Sequence, residues 1–338
     1  MLKGTAADDD DSQHEPSLLD KLPNEVLQLI FDEFTCAWAD KDDDGPASAA
    51  LVLSHVCHLW KDALTPSHWS SIRIRNVKQA RVLDSVLSRS MNHPLDIALQ
   101  LRHVNASYFW PKAMDKVKTQ WRLFDLFHTL SDHAPRLQRL TVEAKQAVLA
   151  WLEHVTLLRP LPSLTHLALI QSDKETCMQS FSPSCFDLGK CVSLTLVHTS
   201  IILNERLKWP ALRKFCLSDI RAYELLRWIY DVEADEVGDA HYVRKSRVAC
   251  FASIESLSIS NTMFVRKRQQ IVDFLSLFLN VWELELDCID SRLILEILEA
   301  DTTLMPYLQR VVIDGEEIHF GLAAEVYCVD EGMNMSYI

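Results

Sequence analysis

The sequence predicts an α/β protein: a small all-helical module followed by an irregular repeat array whose strands stack into a parallel sheet. Three observations predict it. Between Ser17 and Leu64 apolar residues recur at helical spacing in two runs. From Leu137 onward an anchor followed by apolar residues three and five positions later occurs seven times. Stretches of helical periodicity lie between those cores. The expected division is an acidic tail over residues 1–16, a helical domain over 17–75 and a repeat domain over 76–338.

Composition excludes several function classes. Only 7 glycines stand in 338 residues, where average usage would give roughly 24. Phosphate-cradling loops and nucleophile elbows need glycine for close backbone approach. No G-x-G-x-x-G, G-x-x-x-x-G-K-[ST] or G-x-S-x-G is present. The net charge of −13 disfavours nucleic-acid and anionic-membrane binding. The short basic clusters Arg244/Lys245/Arg247 and Arg266/Lys267/Arg268 read as solvated surface. Nine cysteines without C-x-x-C spacing read as buried thiols in a reducing compartment, and Cys177, Cys185, Cys191 and His198 make no regular ligand set. With no signal-peptide pattern and no long apolar stretch, the expected location is cytoplasm, nucleus or both. The sequons at Asn105 and Asn334 then carry no weight.

The first element is LLDKLPNEVLQLIFDEF. Pro23 suits an early helical position, and Asn24 and Glu25 suit the first turn. Val26, Leu29, Ile30 and Phe34 follow at helical spacing. A polar loop is expected over 40–48. The stretch from Asp40 to Gly45 reproduces positions 1, 3, 5 and 6 of an EF-hand loop. Position 12 is Leu51, so the bidentate acid that calcium requires is missing, and the stretch reads as an acidic linker. A second helical run, AALVLSHVCHLWKDAL, ends before Pro66.

LPNEVLQLIF, LVLSHVCHLWKDAL and HWSSIRI together resemble the F-box motif over about residues 18–75. They carry its Leu-Pro-x-Glu, Ile-Phe, Val-Cys-x-x-Trp and trailing Trp; the long acidic insert departs from it. VLDSVLSRSMNHPLDIALQL is similar to the segment after the F-box in a large fungal (basidiomycete) F-box-like group. The resemblance implies docking on a Skp-family subunit and, through it, on a cullin. The expected contact residues are Leu22, Pro23, Glu25, Val26, Leu29, Ile30, Phe31, Val56, Cys57 and Trp60. A short helical pair also holds more apolar groups than it can cover by itself.

Next come a helix over 76–90, a strand over 94–101 and a helical stripe of Val117, Trp121, Phe124 and Phe127. The repeat anchors are Leu137, Leu164, Cys191, Leu212, Ile254, Val281 and Leu308, at spacings of 27, 27, 21, 42, 27 and 27. The 42 is either two units or one unit with an insertion, and it contains the acidic run 231–239. Helices are expected over 147–158, 220–230, 271–278 and 293–298. The pattern resembles the leucine-rich repeat, but without its Asn ladder: the eighth positions hold Lys145, Ser172, Thr199, Ile220, Thr262, Ile289 and Glu316. Strand alternation leaves one row on the open face, namely Arg139, His166, Ser193, Lys214, Ser256, Glu283 and Arg310. The next row is Thr141, Ala168, Thr195, Cys216, Ser258, Glu285 and Val312.

The expected function is that of a substrate-recognition adaptor of an SCF-type cullin–RING ubiquitin ligase. The first row would form the candidate surface for an unidentified protein substrate. No catalytic residue, cofactor or metal is expected, and neither nucleic acid nor membrane as a partner. A scaffold acting outside a ligase and an α/β enzyme are the alternatives.

Overall fold

The computed structural model describes residues 22–41, 46–104, 114–158, 161–173, 179–181, 188–201, 209–220, 251–261, 268–288 and 290–319. Several sequence expectations lie outside the described residues. They are the tail over 1–16, Asn105, Asn334, Cys177, Cys185, all but the first residue of the helix over 220–230, the acidic run 231–239, the cluster Arg244/Lys245/Arg247, and Arg266 with Lys267.

Helix α1 spans Asn24–Lys41 and closes its first turn on the Pro23 carbonyl, which accepts from the N–H groups of Val26 (3.0 Å) and Leu27 (3.1 Å). The expected polar loop is shorter than read. Helix α2 (Pro46–Ser54) opens on a proline at its first position, where a missing N–H costs nothing, and continues through helix-forming Ala47, Ala49 and Ala50. The second helical run is two helices rather than one. Cys57 is fully extended (φ −161°, ψ 172°), and α3 (His58–Ala63) starts afresh beyond it. That break lets Trp60 reach Phe31, at 5.2 Å between ring centroids. A short 3₁₀ turn, Pro66–Trp69, is capped reciprocally by Thr65 and His68 and leads into β1 (Ser71–Ile74). Trp69 is buried, with the Arg89 guanidinium 4.6 Å above its ring.

The next helix, α4, begins at Ala80 and runs to Arg89, later than expected. The Asn76 side chain accepts the N–H groups of Lys78 (3.0 Å) and Gln79 (3.2 Å), an Asx turn that holds the chain out of the helix. After β2 (Leu95–Leu101), α5 (Met114–Asp132) buries Leu123, Leu126, Phe127 and Leu130, an i, i+3, i+4, i+7 face. Of the expected stripe Phe127 lies on that face, while Trp121 is 63% exposed and Phe124 is exposed as well.

All seven repeat cores are strands or lead into one: β3 (Leu137–Ala144), β4 (His166–Gln171), β6 (Ser193–Val197), β8 (Lys214–Ser218), β9 (Ser256–Ser260), β10 (Glu283–Asp287) and β11 (Arg310–Ile313). Helices α6 (Gln146–Leu158), α7 (Arg268–Leu275) and α8 (Ser291–Ala300) lie between them in the chain. Strand β12 (Glu316–His319) follows β11. The ten-stranded sheet runs β1-β2-β3-β4-β6-β8-β9-β10-β11-β12, in chain order. Every pair is parallel except β11–β12. Strands β5 (Gln179–Phe181) and β7 (Thr199–Ile201) form a separate parallel pair. No described helix is long and apolar enough to cross a membrane.

The 42-residue spacing resolves into one step, because β8 pairs directly with β9, Lys214 opposite Ser256. An aromatic cluster packs beneath this step. Phe251 lies 5.8 Å from Trp209, 5.8 Å from Phe215 and 5.1 Å from Phe278, and all four are buried.

One buried face of the sheet holds Ile72, Ile97, Leu140, Leu167, Leu194, Phe215, Leu257, Leu284 and Val311, in one core with apolar residues of the helices. That core is continuous from Leu27 in α1 to Val311 in β11.

The work of the absent Asn ladder falls to the backbone. Before β4, β6, β8, β9 and β10 a carbonyl accepts two N–H groups of the next strand's approach. Trp282, for example, accepts from Gln309 (2.9 Å) and Arg310 (3.0 Å). After the strands, His198, Asp219 and Asn261 take positive φ (50°, 55°, 48°) and donate their N–H groups to Ser218, Ser260 and Asp287. Asn and Asp tolerate this left-handed backbone better than most residues. The expectation of buried thiols holds only for Cys191 among the described cysteines: Cys216 and Cys288 are half-buried and Cys57 is exposed. Burial pushes Cys191 up to about 11, and Cys216 and Cys288 upward too.

Candidate partner interfaces

The first candidate is the outer face of α1 and α2. Leu29 is 69% exposed and Val56 55%, with Val26, Ile30 and Val52 also exposed. Pro23, Glu25 and Cys57 are exposed beside them, and Leu22 and Trp60 are half-buried. Phe31 departs from the expectation. It is 0% exposed, packed on Trp60 and, at 6.4 Å, on His68, so it holds the helices together and offers nothing to a partner. His68 Nε2 in turn lies 3.1 Å from Asp32 Oδ1, which sets the 3₁₀ turn beside α1. Val52 is the residue that sequence reasoning missed. It is exposed on α2, in the turn before the exposed Val56.

The second candidate is the open face of the sheet. The expected row is in register across seven strands: Arg139–His166–Ser193–Lys214–Ser256–Glu283–Arg310. The second row, Thr141 to Val312, is in register likewise. All seven residues of the first row are half-buried or exposed. Two further strands lengthen both rows: Asp96 and Ser71 continue the first, Ala98 and Arg73 the second.

A signal for these strands exists in the sequence. Trp69, Ile72 and Ile74 obey the anchor, +3, +5 rule, although Trp69 reads first as the end of the helical motif. In β2 the register shifts between Leu95 and Asp96, because β2 has one residue fewer there than β3, and this hides the rule. A further repeating position, three before each anchor, was also legible. It holds Ala134, Leu161, Leu188, Trp209, Phe251, Phe278 and Met305, all buried, and each carbonyl accepts the anchor's N–H.

Charge divides this face. At its far end Arg310 is engaged by Glu283 and by Glu317, the latter at 3.0 Å from Nε. At its near end a groove of 360 Å³ lies over β1 to β6, lined by Arg73, Asp96, Arg139 and His166 with small residues between them. Burial pushes the Asp96 carboxyl above its usual range, against the opposing pull of Arg139, Arg73 and His166. Burial pushes His166 down; Arg139 and Lys214 add to this, and Asp96 opposes it. The His166 Nδ1 meets the Thr165 hydroxyl at 2.9 Å. Among the described residues, Arg73, Asp96, Arg139 and Lys214 make no side-chain hydrogen bond or ion pair with each other or with a neighbour.

A raised carboxyl pKa means that the folded state disfavours the charged form, so at neutral pH Asp96 weakens the fold relative to a neutral isostere. Asp96→Asn is expected to raise the melting temperature at pH 7. The gain should shrink as pH falls through the folded pKa of Asp96, and vanish below its unfolded value of 3.8. Melting curves of both proteins across that range check this.

No family model matches the chain, and no curated protein matches it.

Proposed function

We propose that the chain is an F-box-type substrate adaptor of an SCF-type cullin–RING ubiquitin ligase. In this reading α1 to α3 form the F-box module and dock on a Skp-family subunit. The sheet with its helices is an irregular leucine-rich-repeat-like solenoid, and its open face holds a protein substrate. The mechanism is proximity: tethering raises the effective concentration of substrate lysines near the charged ubiquitin carrier, and no catalytic residue is needed in this chain. Such a protein would work in the cytoplasm or nucleus.

One observation carries the reading. Leu29, Ile30, Val26, Val52 and Val56 are exposed on a module whose own core, Leu27, Phe31 and Leu53, is already closed. Fold stability does not account for that exposed face; burial against a partner does. The test is reconstitution of the chain with a Skp-family subunit and a cullin–RING core. A stoichiometric complex that gains ubiquitin-transfer activity supports the proposal. Absence of any complex with the Skp-family subunit overturns it. A complex that never recruits the cullin makes the chain a scaffold outside the ligase.

A further inference from the structure

We infer that the near half of the open face, from β1 to β8, binds an extended protein segment rich in Asp and Glu. The inference rests on the substrate-presenting role proposed above for that face, and names the class of segment it takes.

The chain as a whole carries a net charge of −13, so a surface drawn from it at random is acidic. This half of the face reverses that sign. Arg73, Arg139 and Lys214 stand along it against two carboxylates, Asp96 and Glu143, and Glu143 is already engaged by Arg102. Burial pushes His166 below its ordinary range, with Arg139 and Lys214 adding to the shift and Asp96 opposing it. None of the three permanent cations is engaged by contact. A ligand carboxylate therefore breaks no existing ion pair, and gains the full charge-assisted hydrogen bond. Arg310, by contrast, is held by two glutamates and has nothing comparable to offer.

Between the cations the face is lined with small residues: Ala98, Thr141, Ala168, Ser193 and Thr195. They leave room for a backbone to lie close, and three of them carry hydroxyls that can bond to it. From β1 to β8 are five interstrand steps. At about 4.8 Å each they make about 24 Å, the length of about seven extended residues. Beyond β9 the same face turns acidic, with Glu283, Glu285 and Glu317. A longer acidic segment is repelled there, so the change of sign fixes where the acidic stretch must end.

The test uses the full chain and a fluorescein-labelled peptide of alternating Glu and Ser, read by anisotropy at low and physiological salt. The Gln counterpart and a single-stranded oligonucleotide are run alongside. The Glu peptide is expected to bind, and to weaken with salt. The Gln peptide and the oligonucleotide should bind at least about tenfold more weakly, a difference of about 1.4 kcal/mol. Arg73→Glu with Arg139→Glu should abolish the preference. Lys214→Glu, on an exposed side chain, should reduce it with the fold intact by circular dichroism. Equal binding of the Glu and Gln peptides, undiminished binding by either variant, or tighter binding of the oligonucleotide overturns the inference. Capture of a Skp-family subunit by the same variants should be unchanged, so failure of the peptide test and failure of the adaptor reading are told apart.

Discussion

Leu29→Asp combined with Val56→Asp is expected to weaken capture of a Skp-family subunit at least about a hundredfold. Burying an exposed Leu or Val at an interface contributes about 1.5–3 kcal/mol each, and about 1.4 kcal/mol is tenfold in affinity. The two carboxylates would also enter an apolar contact without partners, which adds to the loss. Neither side chain supports the fold, at 69% and 55% exposure. The melting temperature should therefore stay within a few degrees of the parent chain. Interferometry for affinity and a thermal melt for stability separate the two effects. Undiminished affinity in the double variant would remove α1 and α2 as the docking face.

Phe251→Ala has the largest expected effect on stability. Its ring is buried among Trp209, Phe215 and Phe278. Truncating a buried Phe costs about 3–5 kcal/mol through lost transfer energy and the cavity left behind. A whole domain commonly has only about 5–15 kcal/mol to lose. The site also lies under the β8–β9 step, where the longest crossover of the array returns to the sheet. A urea titration should show a midpoint far below that of the parent, or a chain that no longer folds. Trp282→Ala is the control. Trp282 is 40% exposed at the approach to β10, so its loss should cost little. Equal midpoints for Phe251→Ala and the parent would mean that the aromatic cluster does not hold this step together.

The parallel sheet was legible because two constraints coincide in each core. Alternation alone marks a strand, and the fixed anchor-to-strand offset marks its place among its neighbours. Leu140, Leu167, Leu194, Phe215, Leu257, Leu284 and Val311 align in the sheet as they align in the sequence. Where one constraint failed, so did the reading. Strand β2 was expected over 94–101, but with one residue fewer at Leu95 its place among the repeats was missed, and β1 was absorbed into a helical motif. The helix break at Cys57 left no glycine or proline to find; it follows from tertiary packing of Trp60 on Phe31. Packing also decided which apolar residues of α1 face outward. Helical periodicity admits both Leu29 and Phe31 to a hydrophobic set, and only the neighbours of Phe31 show that it is enclosed. The engagement of Arg310 was hidden for another reason. Glu317 belongs to β12, a strand outside the repeat, and comes beside Arg310 only when the chain folds back.

That fold-back rests on Asp314 and Gly315, at φ 51° and 84°. Two successive left-handed residues make the tight turn whose twist suits a hairpin. A parallel array has no natural last member, since each strand leaves a free row of backbone groups for one more. Reversing the chain occupies the row on β11 with a four-residue strand that carries Glu316 and Glu317. Short, charged margins of this kind discourage a second molecule from continuing the pattern. The hairpin thus acts as a stop codon written in backbone geometry: it turns an open-ended polymer motif into a counted, self-limiting one.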